Sequence, residues 1–349
     1  MRLTTARTLP LVSLVVIHLV VLLAGFFAPY DPAIQDRAAP NCPPTRIHWV
    51  RPDGRFPWHP FVYGLTELAG EDQPYAEDTR TLYPIQFLTR AMRYRILGAL
   101  TSDRHLLGVA APAHIYLMGT DNYGRDVFSR LLYGGQISLF AGLLATLLTL
   151  TLGVLLGTLA GFYGGWADAV IMRSSDLFLA LPWLYLLLAL RGFLPLHTRP
   201  EQTFLLLIAV IGVSGWARSA RLIRGVVLSA KERTHLLAAR GFGASDFYLI
   251  RRHVLPETRS VVLTQAALLI PQYVLAEVTL SFLGLGVSEP VPSWGTMLAT
   301  LQQYHVLLSD WWMFFPGLVL VLVFLSYGAL SNAMQEVTAN ARVRWNGYS

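Results

Sequence analysis

The chain has 349 residues, of which 54% are hydrophobic and 14% charged, against roughly a quarter charged in soluble domains. That excludes an ordinary soluble enzyme, a disordered chain and a disulfide scaffold, since the single cysteine, Cys42, has no partner within the chain. Basic residues outnumber acidic ones 27 to 21; nearly all are arginines, and their distribution along the chain does not favour a nucleic-acid partner.

Six apolar stretches approach the roughly 20 residues a helix needs to cross a bilayer. The first, about 10–28, follows Arg2 and Arg7. Its apolar run exceeds a signal-peptide core, and Ala24-Gly25-Phe26-Phe27-Ala28 offers no convincing small-x-small cleavage site, so it reads as a span. The stretch after it is rich in proline and aromatics (Pro40, Pro43, Pro44, Trp49, Pro52, Pro57, Trp58, Pro60), which favours turns and extended pieces. Within it, apolar residues at 85, 88, 92 and 96 predict a helix over Tyr83–Leu100. The second span, about 137–162, carries no charge. Its Gly153, Gly157 and Gly161 fall on one helix face and predict close packing. The third span, about 169–190, carries Arg173 and Asp176 near its start, with Asp168 just before; these are expected to pair locally. The fourth is about 203–222. The fifth, about 260–284, contains Pro271 and Glu277. The sixth, about 311–332, opens on Trp311 and Trp312, expected as an interfacial anchor.

Loop charges set the sidedness. Residues 218–259 hold nine Lys/Arg and three acids, whereas 285–310 hold no Lys or Arg. The positive-inside rule places the first segment in the cytoplasm and the second outside. Both termini then fall inside. Residues 29–135, with eleven basic and eleven acidic residues, fall outside, which is compatible because long loops translocate largely regardless of charge. The expectation is an all-α polytopic membrane protein of the cell inner membrane. It has six transmembrane helices, an extracytoplasmic insert between helices 1 and 2, and cytoplasmic termini. The parts are an N-terminal span (1–32), the insert (33–117), a five-helix core (118–335) with a cytoplasmic loop at about 229–256, and a C-terminal tail (336–349).

The cytoplasmic loop is ordered for its length. Ser229-x-x-Glu232 fits a capping box, Arg233–Arg240 suits a short helix, and Gly241 and Gly243 end it. Ser245 or Asp246 suits the cap of a second helix, 247–254, and Pro256 the first turn of the fifth span. Two readings stay open from the residues alone: a basic loop that enforces topology, or a docking surface. The only lysine, Lys231, sits in Ser-Ala-Lys-Glu and not in G-x-x-x-x-G-K-[ST], so the chain has no P-loop.

Leu237-Ala238-Ala239-Arg240-Gly241-Phe242-Gly243, then His253-Val254-Leu255-Pro256, resembles the EAA motif of ABC-importer permeases. Ala238, Ala239, Gly243, Leu255 and Pro256 match at its spacing. Leu237 stands where the family usually has Glu, so any salt bridge that the resemblance implies from that Glu to the ATPase is not expected here, and His253 stands where the general pattern has Ile. Met118-Gly-Thr-Asp121-Asn-Tyr-Gly-Arg125-Asp126-Val-Phe-Ser-Arg130, with Tyr133-Gly134, is similar to a signature of dipeptide, oligopeptide and nickel permeases of the second-permease type. So are Leu280–Gly286, Pro290-x-Pro292-Ser293-Trp294-Gly295 and Phe27–Pro32. The resemblance covers most of 10–32 and 118–335 and gives about 33–117 no role. It implies a subunit of an ATP-driven importer that alternates access. The implied partners are a second homologous permease, two cytosolic ATPases carrying ATP-Mg, an extracytoplasmic solute-binding protein and membrane lipid. This chain itself would bind no cofactor.

Glu277, a carboxylate inside a span, must face protein or water because charge in hydrocarbon is costly. It reads either as pathway-lining or as a residue near the outer interface paired within a permease dimer. Pro271 reads as a flexing gate or a static bend. Asp121, Arg125, Asp126 and Arg130 read as contacts to the binding protein or partner subunit, or as local ion pairs. The nine histidines show no H-x-x-x-H or H-E-x-x-H spacing. No Ser-His-Asp arrangement is legible, and His305 on the outer loop gives a nickel role little support. The alternatives are an exporter, a permease for another solute or metal, and a membrane-embedded hydrolase.

Overall fold

The computed structural model describes residues 2–50, 59–67, 75–96, 100–193, 195 and 199–346, with side chains from 8 to 333. Pro52, Pro57, Trp58, His197 and the side chains of Arg2, Arg7, Arg342 and Arg344 lie outside the described residues. The chain divides into two compact units, residues 15–138 with 281–322, and residues 1–14, 139–280 and 323–349.

The first unit takes in most of the insert. Helix α1 (Arg2–Leu22) runs into a short α2 (Ala24–Phe27). Strand β1 (Phe61–Glu67) pairs antiparallel with β2 (Tyr75–Pro84), and β3 (Gln86–Ile96) pairs antiparallel with β4 (Leu100–Gly108). The helix expected over Tyr83–Leu100 is therefore wrong, and the all-α expectation fails in the insert. Tyr83, Phe87, Thr89, Tyr94 and Ile96 are strand-favouring residues. A positive φ of 54° at Leu88 and a register shift between Arg90 and Tyr94 break the two-residue alternation, which leaves apolar spacings that mimic a helix. Val62, Ile85 and Ile115 form one small core of this unit; Ala39, Cys42 and Tyr116 form another. His105 is buried, its Nδ1 2.7 Å from the carbonyl oxygen of Ala28 and its Nε2 2.8 Å from that of Met92.

The second unit is helical. Helix α3 (Val127–Tyr163) begins in the first unit and runs on into this one. It is followed by α4 (Gly165–Ala180), α5 (Trp183–Gly192), α6 (Pro200–Ser214), α7 (Trp216–Lys231), α8 (Thr234–Gly241), α9 (Asp246–Leu249) and α10 (Leu255–Phe282). The glycine stripe of α3 packs on α7 as expected: a Cβ on Gly153, Gly157 or Gly161 would meet Ser219, Ile223 and Val227 respectively within 2.9 Å. Thr149 Oγ1 donates to the Gly212 carbonyl at 2.6 Å and lies 3.0 Å from the Tyr273 hydroxyl.

Among the described residues, Val127–Tyr163, Asp246–Phe282 and Trp311–Ala333 are long and apolar enough to cross a membrane. Two bent pairs, α4 with α5 (94°) and α6 with α7 (43°), raise the number to as many as five, and Thr8–Leu22 is a shorter apolar helix. The third predicted span is thus not one straight rod. It breaks at Leu181-Pro182, where both residues are extended, because proline pushes its predecessor out of the helical region. The fourth breaks at Gly215. After α11 (Trp294–Ala299) and α12 (Tyr304–Ser309), helix α13 (Phe315–Asn346) continues through most of the expected tail. Of the pair expected as an interfacial anchor, Trp311 is exposed, whereas Trp312 is buried and donates from Nε1 to the Thr120 carbonyl at 2.9 Å.

Candidate functional site

The basic loop is built on α3 and α7. Ser229 lies inside α7 and donates to the Gly225 carbonyl, so the expected capping box with Glu232 does not form; the residue before α8 is Arg233. Lys231 has a different use. Its Nζ donates to the carbonyls of Phe162 (2.7 Å) and Gly161 (3.4 Å), satisfying orphan acceptors at the C-terminus of α3, where a cation is also favoured by the helix dipole. Leu236 of α8, Leu249 of α9 and Val254 then bury against Phe162, Ile223 and Val227.

Gly243 closes α8 at φ +84°. Its N–H bonds to the Arg240 carbonyl, and the Ala244 N–H to that of Ala239, the two bonds of a Schellman motif. Ser245 then caps α9, accepting from the Tyr248 N–H at 3.4 Å. The second loop helix is not separate from the fifth span. Helix α9 passes through a π turn, Ile250–Val254, directly into α10. Pro256 follows that turn; proline lacks a donor and crowds the preceding turn, and the Leu255 N–H reaches back to Ile250. The motif residues divide by burial. Ala239, His253, Leu255 and Pro256 are half-buried; Leu237, Ala238 and Arg240 are exposed. Arg240 sits over the Phe162 ring at 5.5 Å and 3.4 Å from Asp246. His253 lies beside His235 and Tyr248. Phe242, 93% exposed, and Phe247, 72% exposed, were not singled out by sequence reasoning. The available signal was two phenylalanines in an otherwise basic, turn-rich loop.

The glycine-rich signature beyond the first apolar helix forms a second constellation. Asp121, Arg125, Asp126 and Arg130 are all buried. Arg125 Nε donates to Asp121 at 2.7 Å and its Nη1 to Glu289 at 2.6 Å; Arg130 Nη2 donates to Glu289 at 2.9 Å. The arrangement seen is the local ion-pair one. Burial alone would lower the Arg125 pKa, but Asp121 and Glu289 outweigh it and raise it. Glu289, missed in the sequence, joins this cluster to the proline-rich loop before α11. There Trp294 is buried and its Nε1 donates to the Leu131 carbonyl. Asp126 caps α3, accepting from the Ser129 N–H at 2.8 Å and hydroxyl at 2.6 Å. Burial drives its carboxyl up to about 7 despite those bonds.

At the other end of α3, Asp168 accepts a two-point contact from Arg224, at 2.6 Å for one oxygen, and Asp176 pairs with Arg221. The partners of both acids are arginines of α7, not Arg173. Glu277 is fully buried within α10, and Pro271 is buried in the same helix.

The profile of the binding-protein-dependent transport system inner membrane component matches residues 153–342, more than half of the chain. The chain belongs to that family. It is a permease-type transport subunit, and its apolar helices accord with a multi-pass membrane protein. It is similar to the dipeptide transport system permease protein DppC of Bacillus subtilis, at 37% identity over 64% of this chain and 68% of that one. The oligopeptide permease protein OppC of the same organism is 34% identical over 64% and 72%. The glutathione permease protein GsiD of Pectobacterium atrosepticum is 33% identical over 64% and 72%. Among solved structures, the MetNI methionine ABC transporter is similar at 17% identity and a TM-score of 0.41, over 58% of this chain and 95% of that one.

Proposed function

We propose that this permease is one of two membrane subunits of an ATP-driven peptide importer, with residues 229–256 as the surface that receives a separate ATPase. The observation that carries the reading is the exposed pair Phe242 and Phe247, held on a loop that is fixed by Leu236, Gly243 and Lys231. Exposed aromatics on a rigid base, flanked by Arg240, Arg251 and Arg252, suit insertion into a pocket on a protein partner. Leu237 in place of the motif Glu makes that contact apolar at this position. The relatives named for dipeptide, oligopeptide and glutathione support a peptide cargo ahead of nickel.

The mechanism involves no covalent chemistry. ATP-Mg binds on two cytosolic partners, and a solute-binding protein delivers cargo from the extracytoplasmic side. A second homologous permease completes the pathway in the inner membrane. Six crossings put both termini and the basic loop in the cytoplasm. Because α9, the π turn and α10 form one unbroken helix of 37 residues, roughly 55 Å of rod, a displacement at the docked loop moves the span that carries Pro271 and Glu277. Alternating access follows if the ATP-bound partners prefer one loop spacing, since a ligand shifts an equilibrium only by its preference between states. Glu277 is fully buried in this state, and its carboxylate would meet a peptide amine only when the pathway opens beside α10. ATP-dependent uptake of a labelled dipeptide by proteoliposomes holding the complete complex tests the reading. Uptake is expected with the wild-type chain and is expected to fall with Glu277→Gln while assembly is retained. Absence of ATP-dependent peptide uptake would contradict the cargo; unchanged uptake in the variant would contradict the role of Glu277.

A further inference from the structure

We propose that the β3–β4 ribbon is a membrane-surface foot that lies on anionic phospholipid headgroups at the outer end of the first apolar helix. The ribbon is a two-stranded sheet that packs on α2 and, through Leu107, against Val62, Ile85 and Ile115. It nevertheless exposes Phe87, Leu88, Met92 and Leu100. Its neighbour, the β1–β2 pair, exposes no large apolar side chain among its described residues. The apolar exposure is therefore confined to one of the two ribbons.

That ribbon is the one tied to the helix end. Ala28, the last residue of the first apolar run, holds the His105 ring through its carbonyl at 2.7 Å. The Tyr94 ring lies so close over Gly25 that a Cβ there would overlap it. The ribbon is thus pinned where the chain leaves hydrocarbon. Charge selects the occupant. Arg90, Arg93, Arg95 and Arg104 are exposed, against one acid in the same strands, the half-buried Asp103. Among the described residues no carboxylate pairs with Arg90, Arg93 or Arg95. Guanidinium groups match phosphate oxygens in a two-point geometry. Apolar side chains interleaved with arginines are the composition of a segment lying in the headgroup region.

The foot rests on residues 10–28 crossing the bilayer, so the test reports on both separately. The full chain, in a Cys42→Ala background, carries a fluorophore at Met92→Cys and, in parallel preparations, at Leu100→Cys or Val16→Cys. It is reconstituted into phosphatidylcholine vesicles with or without phosphatidylglycerol. A lipid carrying a headgroup-level nitroxide quenches from the membrane and iodide quenches from water. The expected result is lipid quenching and iodide protection at 92 and 100 when phosphatidylglycerol is present. Each of Arg90→Gln, Arg93→Gln and Arg95→Gln should lower the docked-to-free ratio about fivefold. Labels open to iodide in both vesicle types overturn the proposal. So does protection from both quenchers, which would mean a protein covers the ribbon. A Val16 label without lipid contact overturns it by removing the span on which it rests.

Discussion

Gly243 has φ +84° and open space where a Cβ would stand. Substitution there meets no neighbour, so the cost is that of the backbone alone. Gly243→Ala is expected to destabilise the α8 end by about 1–2 kcal/mol, the penalty of a left-handed L-residue. The check is hydrogen exchange: the amides of Gly243 and Ala244 should lose protection while those of α3 keep theirs. Asp126 provides a pH signature of its own. Its carboxyl is pushed up to about 7 in the folded state by burial, against about 4 when exposed. The folded state therefore holds this proton more tightly. The stabilising contribution is fully present below about pH 4 and is lost as pH rises through about 7. Asp126→Asn keeps an oxygen to cap α3 and removes the titration. The variant should lose a smaller part of its thermal stability between pH 5 and 8 than the wild type does; equal pH slopes in thermal denaturation would contradict the assignment.

At the scale of elements, the packing of α3 on α7 is the most sharply specified contact. A Cβ on Gly157 would stand 2.5 Å from the Ala220 carbonyl oxygen and 2.9 Å from Ile223. Gly157→Leu is expected to cost about 1–3 kcal/mol through overpacking, read as a lowered melting temperature in detergent. Gly225→Ala, whose Cβ would meet nothing within 4 Å, should not lower it, since alanine is the better helix former. This contact was legible in the sequence because four-residue glycine spacing maps directly onto one helix face. The short helix after Arg233 and its glycine stop were legible for a similar reason, since cap chemistry is local. The insert was not. Around Leu88 and the Arg90–Tyr94 irregularity the strand loses its alternation, so periodicity pointed to a helix where paired strands stand. The Leu181-Pro182 break was written in the proline, but a long apolar run concealed it. Ser229 and Glu232 had capping-box spacing, yet α7 runs through Ser229 to Lys231, whose contacts with the end of α3 hold that turn, and Glu232 is the residue after its end.

For the whole molecule, the loop motif and the Met118–Arg130 signature resembled one family, and residues 153–342 match its profile; the charge asymmetry of the loops spoke only to sidedness. What the sequence could not supply was which of these residues are exposed. The signature residues Arg125 and Arg130 are spent on Glu289 inside the chain, whereas Phe242 and Phe247 stand in the open. Burial depends on contacts distant in sequence, and no local pattern reports it. The central claim is that this loop is gripped by a separate ATPase. The most direct measurement is photo-cross-linking from a benzophenone side chain installed at Phe242 in the assembled complex, with Tyr123, an exposed residue of the Met118–Arg130 signature, as the control position. The account predicts a cross-link from position 242 to the ATPase subunit and none from 123. Cross-linking from 242 to lipid or to the solute-binding protein, with the ATPase present and unlabelled, would contradict it.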